Sequence, residues 1–283
     1  MPPFFNYECS LSEEKVRSFQ KMVYKYYRDH GRRLPWRETK NPYHILVSEI
    51  MLQQTPVRRV QEKYKSFLME FPDFLSLAKT SLRNLLKNWQ GLGYNRRAIA
   101  LKKTAEIIVT KYAGILPSSI DELSKLPGVG RYTASAICTF AFDQPTIFIE
   151  TNIRAVFISA FFHRRQNVKD NEILPLIERT LDWGNPREWY YALMDYGDIL
   201  KRKDASLIKR SAHYARQPPF QDSDRHIRGM ILKILTTSAE MSERQIAHKL
   251  NKPLPRIQKN LQQLQKEGFI TEKESQHGIY TII

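Results

Sequence analysis

Glu49 lies four residues after Ile45 and three before Leu52, the spacing of one helical face. The pattern therefore places a carboxyl group on an apolar stripe. Desolvation disfavours the charged form and raises such a group's pKa, which suits a general acid; a salt-bridged core glutamate is the structural alternative. A second stretch, Leu126-Pro127-Gly128-Val129-Gly130-Arg131-Tyr132-Thr133-Ala134, points to phosphate. Two helices joined by Pro-Gly-x-Gly make a tight hairpin, in which Gly128 and Gly130 permit positive φ and close backbone approach. The N–H groups opening the second helix, at Arg131 to Thr133, can then hold a DNA phosphate without reading sequence. Cys9 and Cys138 are the only 2 cysteines. They build neither a disulfide framework nor a CxxC metal or redox pair, and a four-thiolate iron–sulfur cluster is excluded within one chain.

These groups need helices to position them, and the chain reads as helices joined by short loops. Asn41-Pro42 marks an N-cap and a first-turn proline, opening a helix from Tyr43 to about Gln53. Ser119 with Glu122 forms a capping-box pattern for a short helix that must end near Leu126-Pro127-Gly128. The next helix spans about Arg131 to Phe142, stopped by Asp143-Gln144-Pro145, and later patterns cover Asn171–Leu181 and Pro186–Leu200. The polar, proline-broken run Gln217–Ser223 reads as a linker, dividing the chain into domains 1–222 and 223–283. Beyond it, Ile227, Met230, Ile231, Ile234 and Leu235 make one helical stripe. Ser242 with Gln245 caps a helix carrying Ile246 and Leu250, and Ile257, Leu261 and Leu264 give a third. A two-stranded wing ending at Tyr280 completes the outline of a winged helix-turn-helix, a module that binds DNA or docks proteins.

Composition narrows the partners. The 283 residues carry 45 Lys and Arg against 29 Asp and Glu, a net charge of +16, and 42% are hydrophobic. That is a globular profile whose charge favours a polyanion, because counterion release rewards each phosphate neutralised. The charge is uneven, since residues 223–283 hold 10 basic against 6 acidic residues. No apolar run approaches the roughly 20 residues that span a bilayer. The N-terminus lacks the basic start, apolar core and cleavage site of a secretory leader. A soluble protein of the cytoplasm, with no membrane partner, is the expectation.

Several motifs occur together: Leu34-Pro35-Trp36-Arg37, Ser48-Glu49-Ile50-Met51-Leu52-Gln53-Gln54-Thr55, Trp89-Gln90-Gly91-Leu92-Gly93-Tyr94, the hairpin, and Ala192-Leu193-Met194-Asp195-Tyr196-Gly197. With these in order from about Leu34 to Gly197, the chain resembles the helix-hairpin-helix DNA glycosylases of the endonuclease III superfamily, and more closely their adenine DNA glycosylase branch. The resemblance implies an all-α fold of two helical lobes with a DNA-binding cleft, here followed by the winged helix-turn-helix. It implies extrusion of one nucleotide from mismatched or damaged double-stranded DNA, by a monomer associated with the nucleoid in a prokaryote.

Carried over residue by residue, the resemblance makes Glu49 the acid that protonates the departing adenine. Glu150, in Ile149-Glu150-Thr151-Asn152-Ile153-Arg154, stands where the superfamily has its catalytic aspartate, and Asn152 matches an asparagine able to orient that carboxylate. Such a carboxylate stabilises an oxocarbenium-like transition state. The glutamate is one methylene longer than its counterpart, which leaves open an inactive site that binds lesions. Tyr132 stands where bifunctional relatives place a lysine; a phenol forms no Schiff base, so strand cleavage is expected to be absent. Gln54 and Tyr94 match residues that wedge into the base stack, and Arg32 and Arg37 match positions near the base pocket. Relatives carry four cysteines after the position of Gly197. Lys201 to Tyr214 has none, so no iron–sulfur cluster and no metal are expected, with apolar packing holding the loop. Lys201, Arg202, Lys203, Lys209 and Arg210 are candidates for a cationic face. A thymine or uracil mismatch glycosylase is the rival reading, because some relatives of that type also carry tyrosine at this position.

Overall fold

The computed structural model describes residues 11–216, 219–273 and 277–283. Its helices in chain order are α1 (Glu13–His30), α2 (Pro42–Leu52), α3 (Val57–Glu70), α4 (Phe74–Lys79), α5 (Leu82–Trp89), α6 (Arg96–Lys111) and α7 (Ile120–Leu123). There follow α8 (Arg131–Phe142), α9 (Thr151–Phe161), α10 (Asp170–Thr180), α11 (Pro186–Lys203), α12 (Asp224–Thr237), α13 (Glu243–Leu250) and α14 (Leu254–Lys266). Short strands β1 (Met241–Ser242), β2 (Ile270–Glu272) and β3 (Ile279–Ile282) lie among the last of these. The chain divides into two compact units.

One unit holds residues up to Ile45, Ser118–Lys125 and Val129–Arg216. Its core is aromatic: Phe19 of α1 meets Phe157, Phe161 and Trp189 edge-on at centroid separations of 5.6, 5.2 and 5.9 Å. Helix α8 ends where the sequence says it must, at Asp143, which takes a left-handed conformation. Pro186 occupies the first turn of α11, where a missing N–H costs nothing. One local expectation fails. Ser119 precedes α7 but its side chain makes no cap bond. The helix is one turn long and closes through backbone bonds from Leu123 and Ser124 to the Ser119 and Ile120 carbonyls, both 2.9 Å.

The other unit holds Leu46–Pro117, Leu126–Gly128 and the C-terminal segment. Phe67 of α3 packs edge-on against Trp89 of α5 at 5.8 Å. The C-terminal segment builds its own core from Ile227, Ile231, Leu235, Ile246, Ile257, Leu261 and Leu264, all buried. Ser242 and Gln245 form the expected capping box. The wing differs from expectation in having three strands, ordered β1-β3-β2 and antiparallel, because Met241 and Ser242 pair with Tyr280 and Ile279. A two-residue strand carries no readable alternation. Gln217 and Pro218 of the expected linker lie outside the described residues, as does Cys9.

The segment attaches to α5. The guanidinium of Arg83 donates to the carbonyls of Leu235, Ser238 and Ala239 and to the Thr281 hydroxyl. Gln90 Nε2 donates to Thr236 Oγ1 at 2.6 Å, and Arg96 pairs with Glu267.

Candidate active site

Glu150 is the N-cap of α9. Its Oε1 accepts from the backbone N–H groups of Asn152 and Ile153, each at 2.8 Å, and its Oε2 accepts from Asn152 Nδ2 at 3.0 Å. Aspartate commonly caps this way because its reach is short. Here the longer side chain folds back to the same amides. The carboxylate is thereby fixed at the positive end of a helix, with the Asn152 side-chain amide as one of its donors. Asn152 Oδ1, by contrast, is buried with no protein partner.

The segment entering this cap is braced by rings. Phe148 stacks on Tyr190 at 3.9 Å and meets Tyr132 edge-on at 5.6 Å. Tyr190 donates its hydroxyl hydrogen to the Thr146 carbonyl at 2.8 Å. Behind the cap, Gly197 of α11 lies so close to α9 that a Cβ there would overlap the Asn152 carbonyl. The sequence reading assigned Gly197 no role, because a glycine inside a helix gives no sign of what crosses it. Cys138, buried in α8, donates to the Ser118 carbonyl, and burial pushes its thiol up to about 11, so it is no nucleophile at neutral pH.

Arg32 and Arg37 converge on the buried Asp195. Arg37 makes a two-pronged contact, Nη1 to Oδ2 and Nη2 to Oδ1, both 2.8 Å, while Arg32 Nε reaches Oδ1 at 2.6 Å. Burial pushes the Asp195 carboxyl up, but the bonds and charges of Arg37 and Arg32 outweigh it and hold the group below the usual carboxylate range. Arg37 is itself buried, with its guanidinium 4.5 Å from the Tyr191 ring centroid. These contacts explain both arginines as ties between α11 and the loop before α2. A base-contacting role rests on the resemblance alone.

The hairpin's two glycines differ. Gly128 has φ +77°, and a Cβ on it would press on Ala100 at 2.9 Å; its carbonyl accepts from Gln53 Nε2 at 3.1 Å. Gly130 is extended, with φ −80° and ψ 170°, and a Cβ on it would meet nothing within 4 Å. The expectation of positive φ therefore holds for Gly128 and not for Gly130, whose opening leaves a phosphate room to approach the start of α8. Arg131 is exposed beside Asp121, at 3.5 Å. Thr133 is buried, so its hydroxyl is not offered to solvent, while the amides of a helix's first turn have no intrahelical acceptor.

In the other unit, Glu49 is half-buried on α2, whose neighbouring positions Ser48 and Ile50 are buried. Gln54 and Tyr94 share an unusual backbone, with φ +53° and +47°. A left-handed conformation in a residue other than glycine costs on the order of 1–3 kcal/mol and persists only where surroundings enforce it. Arg97 enforces it here. Its Nη1 donates to the carbonyls of Ile50, Met51 and Gln53 at 2.7, 2.8 and 2.6 Å. Its Nη2 donates to Thr55 Oγ1, Leu92 O and Gly93 O at 2.8, 3.3 and 3.1 Å. One guanidinium thus ties the turn carrying Gln54 to the turn carrying Tyr94, and burial pushes it down to about 10. Sequence reasoning missed Arg97, since a basic residue on a basic chain carries no signal until its acceptors are seen.

Residues 47–180 match the family described as HhH-GPD superfamily base excision DNA repair protein, and residues 224–271 match winged helix-turn-helix DNA-binding. An adenine DNA glycosylase of Buchnera aphidicola subsp. Baizongia pistaciae is 37% identical over 187 residues, 64% of this chain and 52% of that protein. A thymine/uracil-DNA glycosylase of Methanothermobacter thermautotrophicus is 29% identical over 192 residues, 67% of this chain and 87% of that one. The solved structure of a thermostable thymine-DNA glycosylase superposes with a TM-score of 0.61 at 28% identity, covering 67% of this chain and 89% of its own. Residues 47–180 are an HhH-GPD domain. The chain spans about half the length of the adenine glycosylase that it matches.

After this HhH-GPD domain, the Lys201–Tyr214 segment contains no thiolate donor, so it does not fit a four-iron cluster. Backbone bonds hold it rather than apolar packing alone. Val168 pairs with the segment through Val168 N to Arg210 O and Ala212 N to Val168 O, both 2.9 Å. Arg210 turns inward to the carbonyls of Arg165 and Phe162 at 3.0 and 2.9 Å, while Leu207 is buried. Arg210 is thus drawn away from the proposed cationic face, and Arg202 pairs with Asp198 at 2.8 Å.

Proposed function

We propose that the protein is a monofunctional DNA glycosylase that extrudes a mispaired base, adenine foremost, and hydrolyses its N-glycosidic bond. The observation that carries this reading is the Glu150 carboxylate, held by three hydrogen bonds at the head of α9; the sequence resemblance matches this residue to the family's catalytic aspartate. In the proposed reaction Glu49 gives its proton to the base as the C1′–N bond breaks. Glu150 stabilises the sugar cation left behind. Water then adds to C1′, and the proton it sheds returns to Glu49. General-acid catalysis of this kind contributes about 10²–10⁴-fold.

Tyr132 supplies no amine, so the product is an intact abasic site without strand cleavage. With 2 cysteines in the chain, the enzyme works without an iron–sulfur cluster. Among the described residues no helix is long and apolar enough to cross a membrane, and we place the enzyme as a monomer on DNA in the cytoplasm.

The deciding experiment is base release from duplexes carrying A, T, U or hypoxanthine opposite G or 8-oxoguanine. Release of A, with strands broken only after alkali, is the expected result. Release of T or U instead would establish the second reading, which the thymine/uracil-DNA glycosylase relative favours by matching over 87% of its own length. No release from any duplex, with binding retained, would identify a lesion-binding protein.

A further inference from the structure

Tyr94 is an exposed ring, and the guanidinium groups of Arg97 and Arg225 both lie against it. The Arg97 guanidinium lies 5.5 Å from the ring centroid and that of Arg225 lies 5.6 Å from it. Arg225 Nη1 also donates to the Tyr94 hydroxyl at 2.7 Å. Arg225 belongs to the first turn of α12, in the winged helix, and is itself set 5.9 Å from the Phe220 ring. The winged helix therefore reaches a residue matched to the base-stack wedge. An aromatic ring flanked by guanidinium groups is also what stacks on a base in other nucleic-acid sites.

The rest of the module is arranged to keep this contact in place. Arg83, Gln90 and Arg96 anchor it to α5 and the start of α6. Meanwhile three cations of its helix-turn-helix are held by carboxylates. Lys252 and Arg256 pair with Asp222 at 2.6 and 2.9 Å, and Lys259 pairs with Asp224 at 3.0 Å. Phosphate contact through these three would require breaking those pairs.

We propose that the winged helix buttresses the wedge, with Arg225 as a positioning residue that holds the Tyr94 ring in the pose that enters the base stack. This rests on the glycosylase reading only in taking Tyr94 as the wedge. Without Arg225 the hydroxyl loses a charged donor and the ring loses a cation, while Arg97 still holds the turn.

The test uses the full chain with Arg225→Ala and Arg225→Lys, on duplexes with 2-aminopurine beside the mismatch. Binding of the unaltered protein should raise the fluorescence as the stack opens. Arg225→Ala should bind nearly as well yet give little rise, and single-turnover base release should slow about tenfold, the size of one lost charge-assisted hydrogen bond. On a target base opposite an abasic site, already unstacked, the same variant should lose less than about twofold, because little wedging is required. Arg225→Lys, which keeps the cation, should restore part of the fluorescence. Equal fluorescence from Arg225→Ala and the unaltered protein would overturn the proposal. So would equal losses on the stacked and unstacked substrates, which mark a general structural role. A fluorescence rise without base release from the unaltered protein would overturn the glycosylase reading and leave the fluorescence comparison to judge Arg225. Absence of both would sink the two together.

Discussion

Two carboxylates carry the proposed chemistry, and their surroundings separate their roles. Glu49→Gln keeps shape and removes the transferable proton, so single-turnover release should fall by about 10²–10⁴-fold with DNA affinity retained. Glu150→Gln removes a charge that matters most in the transition state, and the rate should collapse while binding survives. Glu150→Asp is more informative. Aspartate is a good N-cap, so the α9 amides stay satisfied, but the carboxylate is set back toward its own backbone by one methylene. Measurable activity below the unaltered rate is expected, since errors near 1 Å cost on the order of 100-fold. Release at the unaltered rate by Glu150→Gln would remove Glu150 from the mechanism. Borohydride should trap no covalent complex at Tyr132, because a phenol forms no imine.

At the scale of elements, the site depends on where helices meet. Gly197→Ala would push its new methyl into the Asn152 carbonyl. Overpacking of this kind typically costs about 1–3 kcal/mol, and base release should slow with it because the displaced backbone belongs to the Glu150 cap. Thermal unfolding and single-turnover rates read the two effects separately. The hairpin glycines give a paired contrast. Gly128→Ala meets both a φ of +77° and the Ala100 side chain, so it should lower the melting temperature. Gly130→Ala should leave stability unchanged and weaken DNA binding, because its methyl occupies the approach to α8. The Asp195 tie sets a pH dependence. Its folded pKa is held below the unfolded value of about 3.9. Its contribution is therefore complete above that value and is lost as pH falls through the folded one. Asp195→Asn should flatten the acid limb of a stability-against-pH curve. It should also cost about 3–5 kcal/mol at neutral pH, since it leaves Arg37 buried without its counter-charge.

For the whole molecule, charge and cofactor content are the readable quantities. With 45 basic residues and 2 cysteines, purified protein should be colourless and free of stoichiometric iron by elemental analysis; a reproducible four-iron content would refute the clusterless proposal. Binding to duplex DNA should weaken steeply with salt. If α13 touches phosphate, Arg244→Ala and Lys249→Ala should each flatten the log–log slope by about 0.9. An unchanged slope would point to a surface that docks protein, in keeping with the pairs already formed on α14. Deleting the winged helix is a poorer test, because Arg83 would lose its carbonyl acceptors along with any phosphate contact.

Much of this was legible in the residues because it is local. Asn41 and Ser242 begin helices through their own side chains, Asp143 stops α8, and the Leu-Pro-Gly-x-Gly run makes its hairpin, all from backbone chemistry within a few positions. The order of motifs identified the HhH-GPD domain, and the absence of cysteine after Gly197 is a plain count. Other features depended on partners remote in sequence. Arg97 is one basic residue among 45 until its guanidinium is seen between two turns. Asp195 lies 163 residues from Arg32, and Gly197 is intelligible only beside Asn152. Tyr94 and Arg225 stand 131 residues apart. Periodicity records which face of a helix is apolar, but a hydrogen bond is specified by where two chain segments meet, and that is decided by packing.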